Sequence, residues 1–154
     1  MSINDLEFHP RVLPSGYIHR STLLGADAHG FRGASEQTAL VYTFADDWTH
    51  PLIIHVASTD GAQELFATEN HDGSGVSLKG GSLKATYHDG LWAPGSGPEQ
   101  RSIGEGLTIH WMRDSFHSLT VARNDLIVGV RGARTRAIRL NDLVVVTEAI
   151  PALS

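Results

Sequence analysis

The chain has 154 residues, enough for one domain that buries roughly two thirds of its unfolded surface. Its formal charge of -5 argues against a general affinity for nucleic acid, and with no cysteine it has no disulfide framework, Cys-based metal site or thiol nucleophile. Sixteen glycines and only 19% charged residues favour short strands and tight turns over long surface helices, so the reading is a single domain over 1–154.

The N-terminus carries Asp5 and Glu7 and no apolar run, so it does not read as a signal peptide, and nowhere do about 18 apolar residues run together. Taken as written, the chain reads as cytoplasmic and without a transmembrane segment; trimmed of a leader or anchor, it would read as extracytoplasmic. Pro10, Pro14 and Gly16 hold the backbone extended and then turn it into a first strand over 17–23. Gly25 to Gln37 is small and polar and reads as a loop. Strands over 38–44 and 51–57 follow as an antiparallel pair, joined by a loop that contains Trp48 and His50. The stretch 63–68 tolerates a helix, but its place between turns makes it a strand.

Short strands over 76–79 and 83–88 flank Gly80 and Gly81. Asp89-Gly90 supplies positive φ cheaply and predicts a hairpin that returns along Leu91 and Trp92. Pro94 to Gly106 reads as a loop. In 106–123, Leu107, Ile109 and Trp111 alternate with Thr108, His110 and Met112, and β-formers resume at Phe116 after Arg113, Asp114 and Ser115. That pattern predicts a second hairpin with Met112 opposite His117, which would put His110 and His117 on one face and Trp111 on the other.

An apolar strand over 126–130 ends at Gly132, and one more short strand is placed over 135–138. Asn141 caps a C-terminal helix whose Leu143, Val146 and Ile150 recur at i, i+3 and i+7, with Pro151 as its stop. The β-branched Val144, Val145 and Val146 oppose that helix, since such residues lose χ1 freedom there. The fold class expected is mainly β (α+β): a curved antiparallel sheet or open half-barrel of about nine short strands with the helix packed on it. The apolar groove between sheet and helix is the first place to seek a ligand.

Several segments carry a family likeness: Pro-x-x-Leu-Pro-x-Gly-Tyr at 10–17, the strands around Tyr42, 52–56 and 85–92, the Leu107-x-x-x-Trp111 strand, and Leu140-Asn141-Asp142-Leu143 leading to Glu148-Ala149-Ile150. In this layout the chain resembles the extracytoplasmic domain of bacterial anti-sigma regulators, related to RseB-like sensors and LolA-like lipoprotein carriers. The resemblance implies an open, curved antiparallel sheet on helices, with a hydrophobic concavity for acyl chains or a partner peptide. It transfers no catalytic residue. The chain has less helix than the carriers.

The expected role is therefore non-enzymatic: a binding or sensor domain holding an apolar ligand or a partner segment. Phe66, Tyr87, Trp92 and Trp111 are expected to line its cavity, with His110 and His117 beside them. Arg131, Arg134 and Arg136, the main basic cluster, are candidates for docking an acidic partner, against a plain alternative in which they solvate an edge strand. A lipid or other apolar small molecule, a protein partner and a second copy of the chain are the partners considered. No cofactor, metal or catalytic residue is assigned. The competing expectation is a small barrel or cone enzyme, a cyclase, isomerase or hydrolase, with His110 or His117 as general base. The turn aspartates and Ser115 or Ser118 form no visible triad.

Overall fold

The computed structural model describes residues 3, 6–28, 30–31, 34, 36–58, 65–104, 106–113, 115–134 and 138–154, with the side chains of Ala26 and Phe66 outside the description. Among the described residues, ten strands form two antiparallel sheets, and neither closes into a barrel. The strands are β1 (Tyr17–Leu24), β2 (Gln37–Phe44), β3 (Asp47–Ser58), β4 (Ser74–Leu78), β5 (Leu83–His88), β6 (Leu91–Pro94), β7 (Gln100–Ser102), β8 (Thr108–Met112), β9 (Phe116–Arg123) and β10 (Leu126–Ala133). One helix, α1 (Leu140–Glu148), follows. The main sheet has the order β1-β2-β3-β10-β9-β5-β4, and the smaller one β6-β8-β7.

The mainly β architecture with a C-terminal helix is as expected, but the chain is routed differently at three points. First, β8 and β9 are not a hairpin. Trp111 pairs with Trp92 in the small sheet, whereas His117 pairs with Gly132 in the main one. The true hairpin is β9–β10, whose two-residue turn holds Asn124 at φ 55; asparagine tolerates that left-handed conformation, and arginine or serine does so less readily.

Second, Asp89 and Gly90 do not reverse the chain within one sheet. They carry it from β5 in the main sheet to β6 in the small one. Gly90 is not at positive φ; a side chain there would run into the Met112 carbonyl oxygen and the Trp111 indole, so the glycine permits close approach. Third, β10 does not stop at Gly132. It runs on to Ala133, and Gly132 leaves room for Ile138 and Leu143.

Smaller differences follow. β3 begins at Asp47, so Trp48 and His50 lie in a strand rather than a loop. Residues 66–68 form a 3-10 turn in place of a strand, beside an isolated bridge between Phe31 and Leu65. A three-residue strand, β7, interrupts the stretch read as loop. Of the strand expected over 135–138, residues 135–137 lie outside the described residues, and Ile138 is in no strand. The helix cap is Arg139, two residues before Asn141: the Asp142 carboxylate accepts the Arg139 backbone N–H at 2.8 Å.

The core follows from strand parity. Leu52, Ile54 and Val56 on β3, Val128 and Val130 on β10, and Leu119 and Val121 on β9 share one face by register. Against it α1 and the turn after it set Leu143, Val146, Ile150 and Leu153, none more than 1% exposed. Burying each such side chain contributes about 1.5–3 kcal/mol, which explains why a helix with three consecutive valines forms. The space expected to be a groove between sheet and helix is filled by these side chains. No helix among the described residues is long and apolar enough to cross a membrane.

Candidate functional site

The opposite face of the main sheet buries polar groups beside a small apolar cluster of Phe31, Ala57, Leu65 and Ile127. Register puts Arg131 of β10 opposite Ser118 of β9, and Ser118 opposite His88 of β5. Two residues along, Gly129 lies opposite Thr120, and Thr120 opposite Thr86. Side chains directly opposite in such a ladder stand about 5 Å apart at Cβ, so these residues form a compact grid on one surface.

Most of the grid is left without protein partners. Among the described residues, seven buried side-chain polar atoms lack a hydrogen-bond partner, and six of them are on this face: Arg131 Nε, Ser118 Oγ, Thr120 Oγ1, His88 Nδ1 and both ring nitrogens of His55. A buried polar group left unpaired costs about 1–3 kcal/mol, and folded chains tolerate few of them. Their concentration on one face distinguishes a site from scattered defects.

Each group has a defined state. His88 sets Nε2 at 2.8 Å from the His71 carbonyl oxygen. A carbonyl only accepts, so Nε2 carries a proton directed at it. The Arg131 guanidinium lies 5.8 Å from the centroid of Phe116 and has no carboxylate partner among the described residues. Burial lowers its pKa. His55 sits beyond Gly129, under Gly30 and against the edge of Phe31. Burial, and then the Arg131 charge, push its pKa down to about 3, so it is neutral near pH 7.

Over the grid lies a cavity of about 260 Å3, lined by Thr86, His88, Thr120 and Ile127 from the sheet side and by Leu65, Thr68 and residues 71–73 from the covering segment. That segment is locked by aromatic contact. The His71 imidazole stacks on Trp111 with centroids 3.4 Å apart and planes at 8°, and Trp92 meets Trp111 edge-on at 5.3 Å. Trp92 Nε1 donates to the Glu69 carbonyl at 2.8 Å, with the Arg101 guanidinium 4.9 Å over its ring.

Beside the cavity is a second hollow of about 250 Å3, bordered by Tyr87, Asp89 and Arg113. Arg113 bridges Asp89 and Glu99 at 2.8 Å each, and Glu99 reaches His71 Nε2 at 2.8 Å. The Asp89 pKa is lowered: burial raises it, but the Trp111 hydrogen bond and the Arg113 charge outweigh that. These pairs are about half exposed, so their net worth is small, roughly 0–1 kcal/mol. They position the cover more than they stabilise the fold.

The residues singled out in the sequence are dispersed. Trp92 and Trp111 pack edge to face behind the cover and are not in the cavity wall. Tyr87 borders the outer hollow; its hydroxyl is 2.9 Å from His117 Nδ1. His117 is buried on the helix side, with Nε2 donating to the Ile138 carbonyl; burial lowers its pKa more than that hydrogen bond raises it. His110 packs over Gly95 and Gly97 in the small sheet, so the two histidines do not share a face. The Phe66 side chain and Arg136 lie outside the described residues.

The basic cluster does not form one exposed patch. Its solvated-edge reading fails because β10 is a central strand, flanked by β3 and β9. Arg131 is turned inward, while Arg134 donates to the Asp89 and Arg113 carbonyls at 3.2 and 3.1 Å. The grid itself was missed. Its signal was the alternation of Ser118 and Thr120 with Leu119 and Val121, in a strand whose both faces are buried.

Among the described residues no group of three histidine, aspartate or glutamate side chains gathers to hold a metal ion. In comparison with known proteins, the chain matches no family model, no curated protein and no solved structure.

Proposed function

We propose that the chain is a non-enzymatic binding domain that holds a small polar molecule in the cavity between residues 65–73 and the β5–β9 face. The observation that carries this reading is that His88 and Thr120, whose Nδ1 and Oγ1 are buried and unpartnered, both line that cavity. A ligand that hydrogen-bonds to them removes the desolvation cost of leaving them unpaired, and so gains affinity and specificity together. The binding role agrees with the RseB-like and LolA-like resemblance, but the ligand differs in kind. An acyl chain has little to offer a wall of threonines and histidines, and the apolar side of the sheet is occupied by α1.

The test is native mass spectrometry of the full chain beside the variant Thr120→Leu, which narrows the cavity. A small molecule retained by the wild type, released on denaturation and absent from the variant supports the reading. A wild type that retains nothing and shows no saturable small-molecule binding overturns it.

A catalytic reading has one observation in its favour. His88, anchored at Nε2 and lining the cavity, has the form of a general base, a role that the buried and doubly bonded His117 is poorly placed to fill. This reading requires turnover that His88→Gln abolishes while ligand retention persists; retention without turnover leaves the binding role.

A further inference from the structure

We infer that two copies of this chain pair through the outer edge of β1, antiparallel about a two-fold axis at Leu23, with Leu24 of each copy seated at a hollow in the other. This goes beyond the cavity and does not depend on it.

An edge strand offers a row of backbone N–H and C=O groups to any strand that can lie beside it, and edges are ordinarily guarded by shortness, proline or charge. Among the described residues, three of the four sheet edges have such a guard. β7 has three residues, β6 ends in Pro94, and β4 has five residues with Gly75 inside it and Lys79 directly after it. β1 has eight residues and pairs with β2 alone among the described strands. Its one formal charge, Arg20, is folded back over β2: Nε donates to Thr43 Oγ1 at 3.1 Å, and Nη2 to the Asp46 carboxylate at 2.7 Å. Past Arg20 the strand runs Ser21-Thr22-Leu23-Leu24 without a charge, and Leu23 and Leu24 are 38% and 60% exposed.

The same chain supplies both halves of a fit. Thr22 stands opposite Leu40 and Leu24 opposite Thr38, so both are on the core face, whereas Leu23, opposite Ala39, is on the other. On the core face Thr22 and Leu24 border a hollow of about 220 Å3 whose apolar lining is Ile3, Leu6, Phe8 and Leu40. Directly opposite residues of an antiparallel pair share a face. A two-fold axis at Leu23 therefore sets Leu23 against itself and Leu24 against Thr22 of the other copy, at the border of that copy's hollow. Neighbouring registers lose this fit. An axis at Thr22 sets Leu24 against Arg20, inside the irregularity between His19 and Ser21, and an axis at Leu24 runs the pairing into the 3-10 turn that begins at Gly25.

Charge and symmetry select a second copy as the occupant. Two chains of net charge -5 repel in general, but they can meet at this stretch because it is uncharged. A two-fold contact uses one patch twice, and this patch holds both the projecting leucine and the hollow that receives it. The shared ladder is short, so the dimer is weak and reversible, with a Kd on the order of 10–100 µM.

The experiment is sedimentation velocity of the full chain from about 5 µM to about 500 µM, a range that brackets this Kd. A monomer–dimer equilibrium is expected, and Leu24→Glu, at an exposed position, should weaken it at least about tenfold. Leu107→Glu, at a residue 58% exposed at the far end of the small sheet, should leave it unchanged. The axis is read by cross-linking. The chain has no cysteine, so Leu23→Cys carries a single thiol, and residues directly opposite stand about 4.5–5.5 Å apart at Cα, within disulfide range. Oxidation should link Leu23→Cys to itself at least about tenfold faster than it links Leu107→Cys, and this readout holds even if Leu24→Glu fails to fold. A wild type that stays monomeric to about 500 µM, a dimer that folded Leu24→Glu does not weaken, or equal cross-linking of the two cysteine variants would each overturn the assignment.

Discussion

His71 lies flat on Trp111, with ring centroids 3.4 Å apart and planes within 8° of parallel, and through that stack a segment between β3 and β4 is fastened to the small sheet. The contact explains how a covering segment without strands of its own stays over the cavity. Trp111 is 5% exposed, and His71 shields one of its faces.

Replacing His71 with alanine should therefore loosen the cover. The expected loss is about 1 kcal/mol, the scale of one aromatic pair. The Trp111 contribution to fluorescence should shift to longer wavelength as water reaches the indole. Emission spectra and urea unfolding of His71→Ala check both. An unchanged emission maximum would mean that the stack does not hold the segment in place.

His55 makes the fold sensitive to acid. Its folded pKa is about 3, against an unfolded value near 6.5, so between those values the unfolded chain binds a proton that the folded chain does not. Stability therefore falls as pH drops below about 6.5, by on the order of 1 kcal/mol per pH unit, until the folded pKa is reached. His117, also lowered by burial, adds to the slope in the same direction. Chemical denaturation at pH 7 and pH 5 should show the loss. His55→Leu should reduce it markedly, and a variant with the wild-type slope would exclude His55 as the cause.

Much of the fold was legible because its signals are local. The 2-residue alternation marked strands around Tyr42, Ile54, Ala85, Leu119 and Val128, and Leu143, Val146 and Ile150 marked the buried stripe of α1. What could not be read was which strands are neighbours. Arg113 to Ser115 and Asp89-Gly90 look like hairpin turns over four residues, yet both are passages between sheets, and that choice is made by Trp92 and Trp111 meeting across β6 and β8. The site was hidden for the same reason. Ser118 and Thr120 look like the solvent side of a half-buried strand until the cover, 65–73, is placed above them.

Arg131 should lower stability. A guanidinium with its Nε buried and no counter-charge is costly to desolvate. Arg131→Met, which keeps the length of the side chain and its packing near Phe116, is expected to raise unfolding free energy by about 1–3 kcal/mol. Urea midpoints check it. A variant that is destabilised by that amount would show that Arg131 has a structural partner.

The passage from β5 to β6 can be tested at Gly90. A Cβ there would stand 2.7 Å from Trp111 Nε1 and collide with the Met112 carbonyl oxygen, which belongs to a paired strand and cannot swing aside. Gly90→Ala should thus cost about 1–3 kcal/mol by overpacking and should disturb Trp111 directly. Gly80 is the control: it has φ 67 and nothing within 4 Å, so Gly80→Ala costs about 1–2 kcal/mol of backbone strain with no effect on any tryptophan. The two variants can be equally unstable and still differ in near-ultraviolet circular dichroism, where only Gly90→Ala should alter the tryptophan bands. If both leave those bands intact, Gly90 is needed for its backbone alone, and the close approach of the two sheets at Trp111 is not what selects glycine there.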